Sequence, residues 1–121
     1  MSARAALAVA LALLLPAGAD AHAVLVKSSP ARRAVLAQPP ARVELTFNER
    51  LEPAYSTVSV RSAADAQVDD GKIVVDPNDP RRLTVGLSSL EPGRYTVRFR
   101  VLSVDGHLVE GTYPFEVRPR K

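Results

Sequence analysis

The tripeptide Asp105-Gly106-His107 places two metal-ligating residue types within three positions of the 121-residue chain. If the backbone there is extended, residues i and i+2 project to the same side, so the carboxylate and the imidazole converge. Gly106 between them adds no side-chain bulk. The same tripeptide is also typical of a turn, in which an aspartate simply holds the ring of a neighbouring histidine. The tripeptide alone therefore leaves a metal site and a structural turn both open.

The only other histidine, His22, follows a segment typical of secretory signal peptides. Arg4 precedes the apolar run AALAVALALLLPAGA, which is shorter than the about 20 residues that a membrane-spanning helix needs. The stretch Ala19-Asp20-Ala21 then fits the A-x-A pattern of a cleavage site. We expect a signal peptide at 1–21, cleavage before His22, and a soluble mature domain at 22–121 that is periplasmic or secreted. An uncleaved membrane anchor is the alternative.

Cleavage before His22 would create a ligand that the uncleaved chain lacks. An N-terminal histidine offers its α-amine and a ring nitrogen to one metal ion and closes a chelate ring. With Asp105 and His107 this makes about three nitrogens and one carboxylate oxygen, a set suited to the tetragonal geometry of Cu(II) and favoured by copper in the Irving–Williams order. Zn(II) remains an alternative, although a chain without cysteine cannot form the usual structural Cys/His cluster.

The elements that must position these ligands read as short strands bounded by Pro, Gly, Asp and Asn. The segments are AVLVK, RVELTF, YSTVSVR, KIVV, RRLTVGL, GRYTVRFRVLSV and TYPFEV. Two of them alternate most clearly and place one apolar set on the inner face: Val43, Leu45, Phe47, Tyr95, Val97, Phe99 and Val101. Seven strands without a helical period after residue 21 predict an all-β, antiparallel β-sandwich of about 100 residues.

The charge pattern argues against a nucleic-acid partner. The chain has 16 basic and 13 acidic residues, a formal net charge of +3, and segment 1–21 contains one of each, Arg4 and Asp20. Basic and acidic residues are interspersed and aromatic residues make up only 5%, which favours a solvated surface of mixed charge. We expect no nucleic-acid partner and a monomer.

Four stretches together resemble the CopC family of extracytoplasmic copper-binding proteins: HAVLVKSSPA, VELTFNERLE, LEPGRYTVRFRVLSVDGH and EGTYPFEV. The resemblance extends over essentially the whole of 22–121. It implies a small Greek-key β-sandwich or barrel, related to the immunoglobulin-like folds, that functions in bacterial copper homeostasis and resistance. It further implies one Cu(II) ion held by His22, Asp105 and His107, and transfer of copper towards an inner-membrane transporter of the CopD type.

The resemblance also bears on Glu49 and on a second copper site. Glu49 falls where family members have an acidic residue near the copper, so it is a candidate axial or outer ligand; alternatively it is a solvated charge in the turn after Phe47. Some members also hold Cu(I) through a Met-rich loop with a histidine in mid-domain. Here the only methionine is Met1 and no histidine lies between His22 and His107, which excludes a Cu(I) site of that kind.

Two other functions fit part of the same pattern. An N-terminal histidine and a second histidine on copper also characterise the lytic polysaccharide monooxygenases. Against that function, the chain is short and has no tryptophan, and Asp105 would occupy a position that oxygen chemistry needs open. A metal-free immunoglobulin-like accessory module would make the motif a coincidence. We expect a copper-binding protein that is not an enzyme.

Overall fold

Short strands with alternating apolar side chains dominate the structure. It is a computed structural model that describes residues 24–120. Within these residues there are eight strands: β1 (Leu25–Ser29), β2 (Val35–Leu36), β3 (Arg42–Phe47), β4 (Thr57–Ser62), β5 (Asp69–Asp76), β6 (Asp79–Leu87), β7 (Gly93–Leu102) and β8 (Leu108–Val117). They form two four-stranded sheets, in the orders β1-β3-β6-β5 and β2-β8-β7-β4.

The predicted all-β antiparallel sandwich is confirmed, with one strand more than the seven expected. The additional strand is β2, which has two residues and pairs in parallel with the end of β8. A segment this short has no room for the alternation that identifies a strand from sequence. The other pairings between named strands in the described chain are antiparallel.

The core lies between the two sheets and contains the inner face that the sequence predicts. All seven residues predicted to point inward are buried, with exposed fractions from 0% for Val43 to 5% for Tyr95. The rings of Phe47 and Phe99 meet edge to face, 5.8 Å apart. Burial of these apolar side chains is the main source of stability in a domain of this size without disulfides.

One end of the sandwich joins the turn between β7 and β8 to the loop after β3. Leu51 forms an antiparallel bridge with Ser103, and the Val104 N–H donates a hydrogen bond to the Arg50 carbonyl, 2.9 Å away. The Glu52 N–H donates to the Leu102 carbonyl at 2.8 Å. These backbone bonds hold the two loops side by side. No helix within residues 24–120 is long and apolar enough to cross a membrane.

Candidate metal centre

Asp105 and His107 lie in a tight turn between β7 and β8. The Ser103 N–H donates to the His107 carbonyl at 2.9 Å, and the Gly106 N–H donates to the Ser103 carbonyl at 3.0 Å. Gly106 has a φ of 91°, in the region that glycine adopts without the steric cost of a Cβ atom. The backbone at Asp105–His107 is therefore a turn, one of the two conformations that the sequence left open, and not an extended segment. The two side chains do converge, but through a turn.

Ser103 connects the two candidate ligands on the buried side of the turn. Its side chain is buried, with 1% of the residue exposed. Its hydroxyl donates a short hydrogen bond to Asp105 Oδ1 and accepts one from the His107 N–H at 3.1 Å. Sequence reasoning missed this residue. The alternation of side chains along β7 could have identified it. Ser103 continues the inward-facing series after Phe99 and Val101 and so places a polar group at a core position.

Three side chains with metal-ligating atoms meet at this turn. Asp105 Oδ1 lies 3.1 Å from His107 Nδ1, and Glu49 Oε2 lies 4.0 Å from the same nitrogen. One ligand atom from each residue lies within 4.8 Å of the others. Nδ1 of His107 is thus the ring nitrogen that faces both carboxylates. The three groups are close enough to share one cation.

Glu49 is more than a solvated charge in a turn. It lies two residues beyond the end of β3, and only 25% of its side chain is exposed. Its Oε2 atom is buried and has no hydrogen-bond partner among residues 24–120. A buried acceptor without a donor is costly, and a bound cation would satisfy this oxygen. Glu49 is therefore a half-buried carboxylate beside the turn, and its role at a metal ion stays a prediction.

The environment of Asp105 favours its ionised form. The hydrogen bond from Ser103 lowers the pKa of the Asp105 carboxyl below its usual value, against the opposing effect of partial burial. The charge and backbone N–H of His107 make smaller contributions in the same direction. An ionised carboxylate is the form that a metal ion binds. Asp105 therefore keeps its ligand oxygen available into mild acid.

His22 lies outside the described residues, but the chain that follows it is fixed beside the cluster. The Val24 N–H donates to Asn48 Oδ1 at 2.7 Å, and the Asn48 N–H donates to the Val24 carbonyl at 3.2 Å. Asn48 immediately precedes Glu49. The start of the described chain and the candidate metal centre therefore share one end of the sandwich.

A two-sheet β-sandwich with a histidine and two carboxylates converging at one end has the donor set of a metal site of the nitrogen- and oxygen-donor type. The particular family follows from comparison with known proteins. The sequence profile of the CopC domain matches residues 25–118, so the chain belongs to the CopC family.

Named relatives and solved structures agree with this assignment. The chain is 34% identical over 106 residues to the copper transport protein CutJ of Bacillus subtilis, covering 87% of this chain but only 20% of CutJ. It is 34% identical over 118 residues to protein YobA of Escherichia coli K12, covering 97% and 95% of the two chains. The copper resistance protein C of Xanthomonas campestris pv. juglandis is 31% identical over 122 residues, with 88% of each chain covered.

Two crystal structures share the fold. CopC from Methylosinus trichosporium OB3b is 41% identical, with a TM-score of 0.77 over 83% of this chain and 97% of that one. PcoC from Escherichia coli, described as a methionine-rich copper resistance protein, is 26% identical, with a TM-score of 0.70 over 81% and 100% of the two chains. The CopC family consists of copper-binding resistance and transport proteins and not of enzymes. The expectation of a copper-related, non-enzymatic protein is confirmed.

Proposed function

We propose that the protein is exported, is cleaved before His22 and binds one Cu(II) ion at the cluster of Glu49, Asp105 and His107. In this proposal His22 supplies its α-amine and a ring nitrogen. Asp105 supplies one carboxylate oxygen and His107 supplies Nδ1. Glu49 is the axial or outer oxygen. The mature protein, 22–121, acts outside the cytoplasm, in a periplasm or on the cell exterior.

The observation that carries the proposal is the unsatisfied Oε2 atom of Glu49. It is buried within 4.0 Å of His107 Nδ1, and Asp105 lies against the same nitrogen. Two carboxylates this close repel one another unless a proton or a cation lies between them. A divalent ion would offset the repulsion between the Glu49 and Asp105 carboxylates. The same ion would give the buried Oε2 atom a partner.

The reach of the chain supports His22 as the remaining ligand. Only Ala23 lies between His22 and Val24, and two extended residue steps span at most about 7 Å. Val24 is held by both of its hydrogen bonds to Asn48, next to Glu49. A chain that starts at His22 is thus short enough to place its amine at the cluster and too short to reach far beyond it.

The donor types support Cu(II) over Cu(I). The cluster offers imidazole and carboxylate groups, which suit Cu(II), whereas Cu(I) prefers thiolate and thioether ligands. The chain has no cysteine and a single methionine, Met1. In this respect it departs from PcoC, whose description as methionine-rich does not fit this sequence.

We further propose that the domain passes its copper to an inner-membrane transporter of the CopD type. CutJ, named a copper transport protein, contains the matching stretch as 20% of its length, so this domain also occurs joined to a much larger polypeptide. Val104 and Leu108, which flank the cluster in sequence, are exposed large hydrophobics and offer a contact surface at that end.

The transfer step can be tested separately from binding. Leu108→Ser should leave Cu(II) affinity unchanged and slow copper uptake into vesicles that contain a CopD-type transporter. Val74→Ser is the matched control, because Val74 is similarly exposed but lies on β5 of the other sheet. Equal uptake with both variants would argue against docking through this end of the domain.

The binding proposal is tested by titrating the protein that begins at His22 with Cu(II) against a competing chelator. One equivalent should bind, and electron paramagnetic resonance should report nitrogen ligands. Asp105→Asn should weaken binding strongly, whereas Asp65→Asn, which removes the same charge from a side chain that is 88% exposed, should not. Equal affinities for the two variants, or no stoichiometric binding, would overturn the site. N-terminal sequencing of the exported protein should begin at His22.

A further inference from the structure

We propose that the buried hydroxyl of Ser103 is a positioning group for the copper site. It limits Asp105 to one coordinating oxygen and fixes the backbone from which the His107 ring projects. The inference rests on the proposed function, since it concerns the geometry of the same site. It goes beyond that function by assigning a role to a residue that is not itself a ligand.

The hydrogen bonds of Ser103 account for this role. A serine hydroxyl has one donor and can accept through its lone pairs. The donor is used on Asp105 Oδ1, and the oxygen accepts the N–H of His107 at 3.1 Å. One buried atom therefore links the carboxylate of one candidate ligand to the backbone of the other. Neither the Asp105 carboxylate nor the His107 backbone can move in the turn without breaking a bond to Ser103.

The backbone around Ser103 makes the hydroxyl a fixed reference point. Ser103 bridges Leu51 of the neighbouring loop, and its N–H donates to the His107 carbonyl at 2.9 Å. The next residue, Val104, donates to the carbonyl of Arg50, which adjoins Glu49. The position of the hydroxyl is therefore fixed relative to the loop that holds Glu49 as well as to its own turn.

The bond to Asp105 also determines how the carboxylate can meet a metal ion. The Ser103 hydroxyl occupies one lone-pair direction of Oδ1, which also faces His107 Nδ1. Oδ2 carries neither of these contacts. A metal ion entering the cluster would then bind Asp105 through one oxygen. The carboxylate would use only one coordination position of the ion, and other positions would be available to the nitrogens.

A second buried serine provides a matched control. Ser56 is 5% exposed, donates to the Glu52 carbonyl at 2.8 Å and accepts from the Leu102 N–H at 3.1 Å. Its hydroxyl thus also makes one bond of each kind, and the accepted one comes from Leu102 at the end of β7, but neither bond involves Glu49, Asp105 or His107. Ser56→Ala and Ser103→Ala remove equivalent sets of hydrogen bonds.

The experiment measures Cu(II) affinity, the paramagnetic spectrum and thermal unfolding of the two variants and of the unsubstituted protein, all beginning at His22. Ser103→Ala should weaken Cu(II) binding by about 10-fold to 100-fold, the usual effect of removing a group that orients a ligand, and should change the spectrum. Ser56→Ala should keep the affinity and the spectrum although it is destabilised to a similar extent. Unchanged affinity and spectrum in Ser103→Ala, with the unsubstituted protein binding copper, would overturn the inference and leave the proposed function standing.

Amide hydrogen exchange in the metal-free proteins separates the inference from the function. Ser103→Ala should accelerate exchange at His107, and Ser56→Ala should instead accelerate it at Leu102. Should Ser103→Ala fail to fold, amide exchange in the unsubstituted protein tests the inference instead. A His107 amide that exchanges as fast as an amide without a hydrogen bond would overturn the inference. If the unsubstituted protein fails to bind Cu(II), the proposed function fails regardless of the exchange result.

Discussion

At the scale of single residues, the cluster combines groups with different properties. Asp105 is held ionised and oriented by Ser103, whereas Glu49 contributes an oxygen that is buried and lacks a donor within the described chain. His107 turns Nδ1 towards both. The cluster therefore combines an oriented, charged carboxylate with a second oxygen that a cation could still satisfy.

The ligand assignment predicts unequal effects of substitution. His107→Ala should weaken Cu(II) binding strongly and remove one nitrogen from the paramagnetic spectrum, since it deletes an in-plane donor. Glu49→Gln, which keeps the size and loses the charge, should have a smaller effect because an axial or outer oxygen contributes less. Competitive titration measures both affinities. An unchanged spectrum in His107→Ala would mean that copper binds elsewhere.

At the scale of elements, the strands could be predicted from sequence, whereas the turn at Asp105–His107 remained one of two alternatives. Alternation in β3 and β7 correctly assigned Val43 and Phe99 to the core, because a strand with one buried face must alternate. The geometry at Asp105–His107 depends on the positive φ of Gly106, which leaves no periodic signal, and on the hydrogen bonds of Ser103, which its inward phase alone does not reveal. The pairing of β2 with β8 was missed because it consists of two residues.

The assignment of the β7 faces predicts opposite outcomes at adjacent positions. Phe99→Ala should lower the free energy of unfolding by about 3 to 5 kcal/mol, because it leaves a cavity beside Phe47 and Gly111. Arg98→Ala should cost little, since its side chain is on the solvent face. Urea unfolding measures both. Similar losses at the two positions would contradict the assigned faces.

At the scale of the whole molecule, the sandwich provides stability and one end provides the site. None of the apolar residues of the buried core is a candidate metal ligand, so the packing of the core does not depend on the metal. Copper should therefore stabilise the fold by binding it and should not be required for folding. This separation makes stability and copper chemistry open to independent tests.

The core predicts a loss of stability in alkali that arises from one buried tyrosine. Burial raises the pKa of Tyr113 to about 12, despite opposing effects of Ser28 and Arg32. In the unfolded chain the tyrosine hydroxyl has its ordinary pKa near 10. Between about pH 10 and 12 the unfolded state therefore loses a proton from Tyr113 that the folded state retains. Stability should then fall by about 1.4 kcal/mol per pH unit. Urea unfolding at several pH values should show that Tyr113→Phe lacks this fall in the free energy of unfolding. The same decline in both proteins would contradict the assignment of the effect to Tyr113.

The composition predicts that the oxidation state of copper controls its release. Residues 22–121 contain no methionine or cysteine, so Cu(I) lacks the soft ligands that it prefers. Reduction of the loaded protein with ascorbate should therefore transfer copper to a competing Cu(I) chelator, as followed by the chelator's absorbance. Retention of reduced copper under these conditions would contradict a site made of nitrogen and carboxylate donors.

The central claim, that cleavage before His22 completes a copper site at the cluster, has one direct test. The measurement compares Cu(II) affinity and the paramagnetic spectrum of the protein that begins at His22 with those of the same protein carrying one added N-terminal glycine. The added residue converts the His22 amine into an amide and moves the new terminus away from Glu49, Asp105 and His107, while circular dichroism checks that both proteins are folded. The account predicts a large loss of affinity and a changed nitrogen pattern in the extended protein. Equal affinities with identical spectra would show that the amine is not a ligand and would contradict the account.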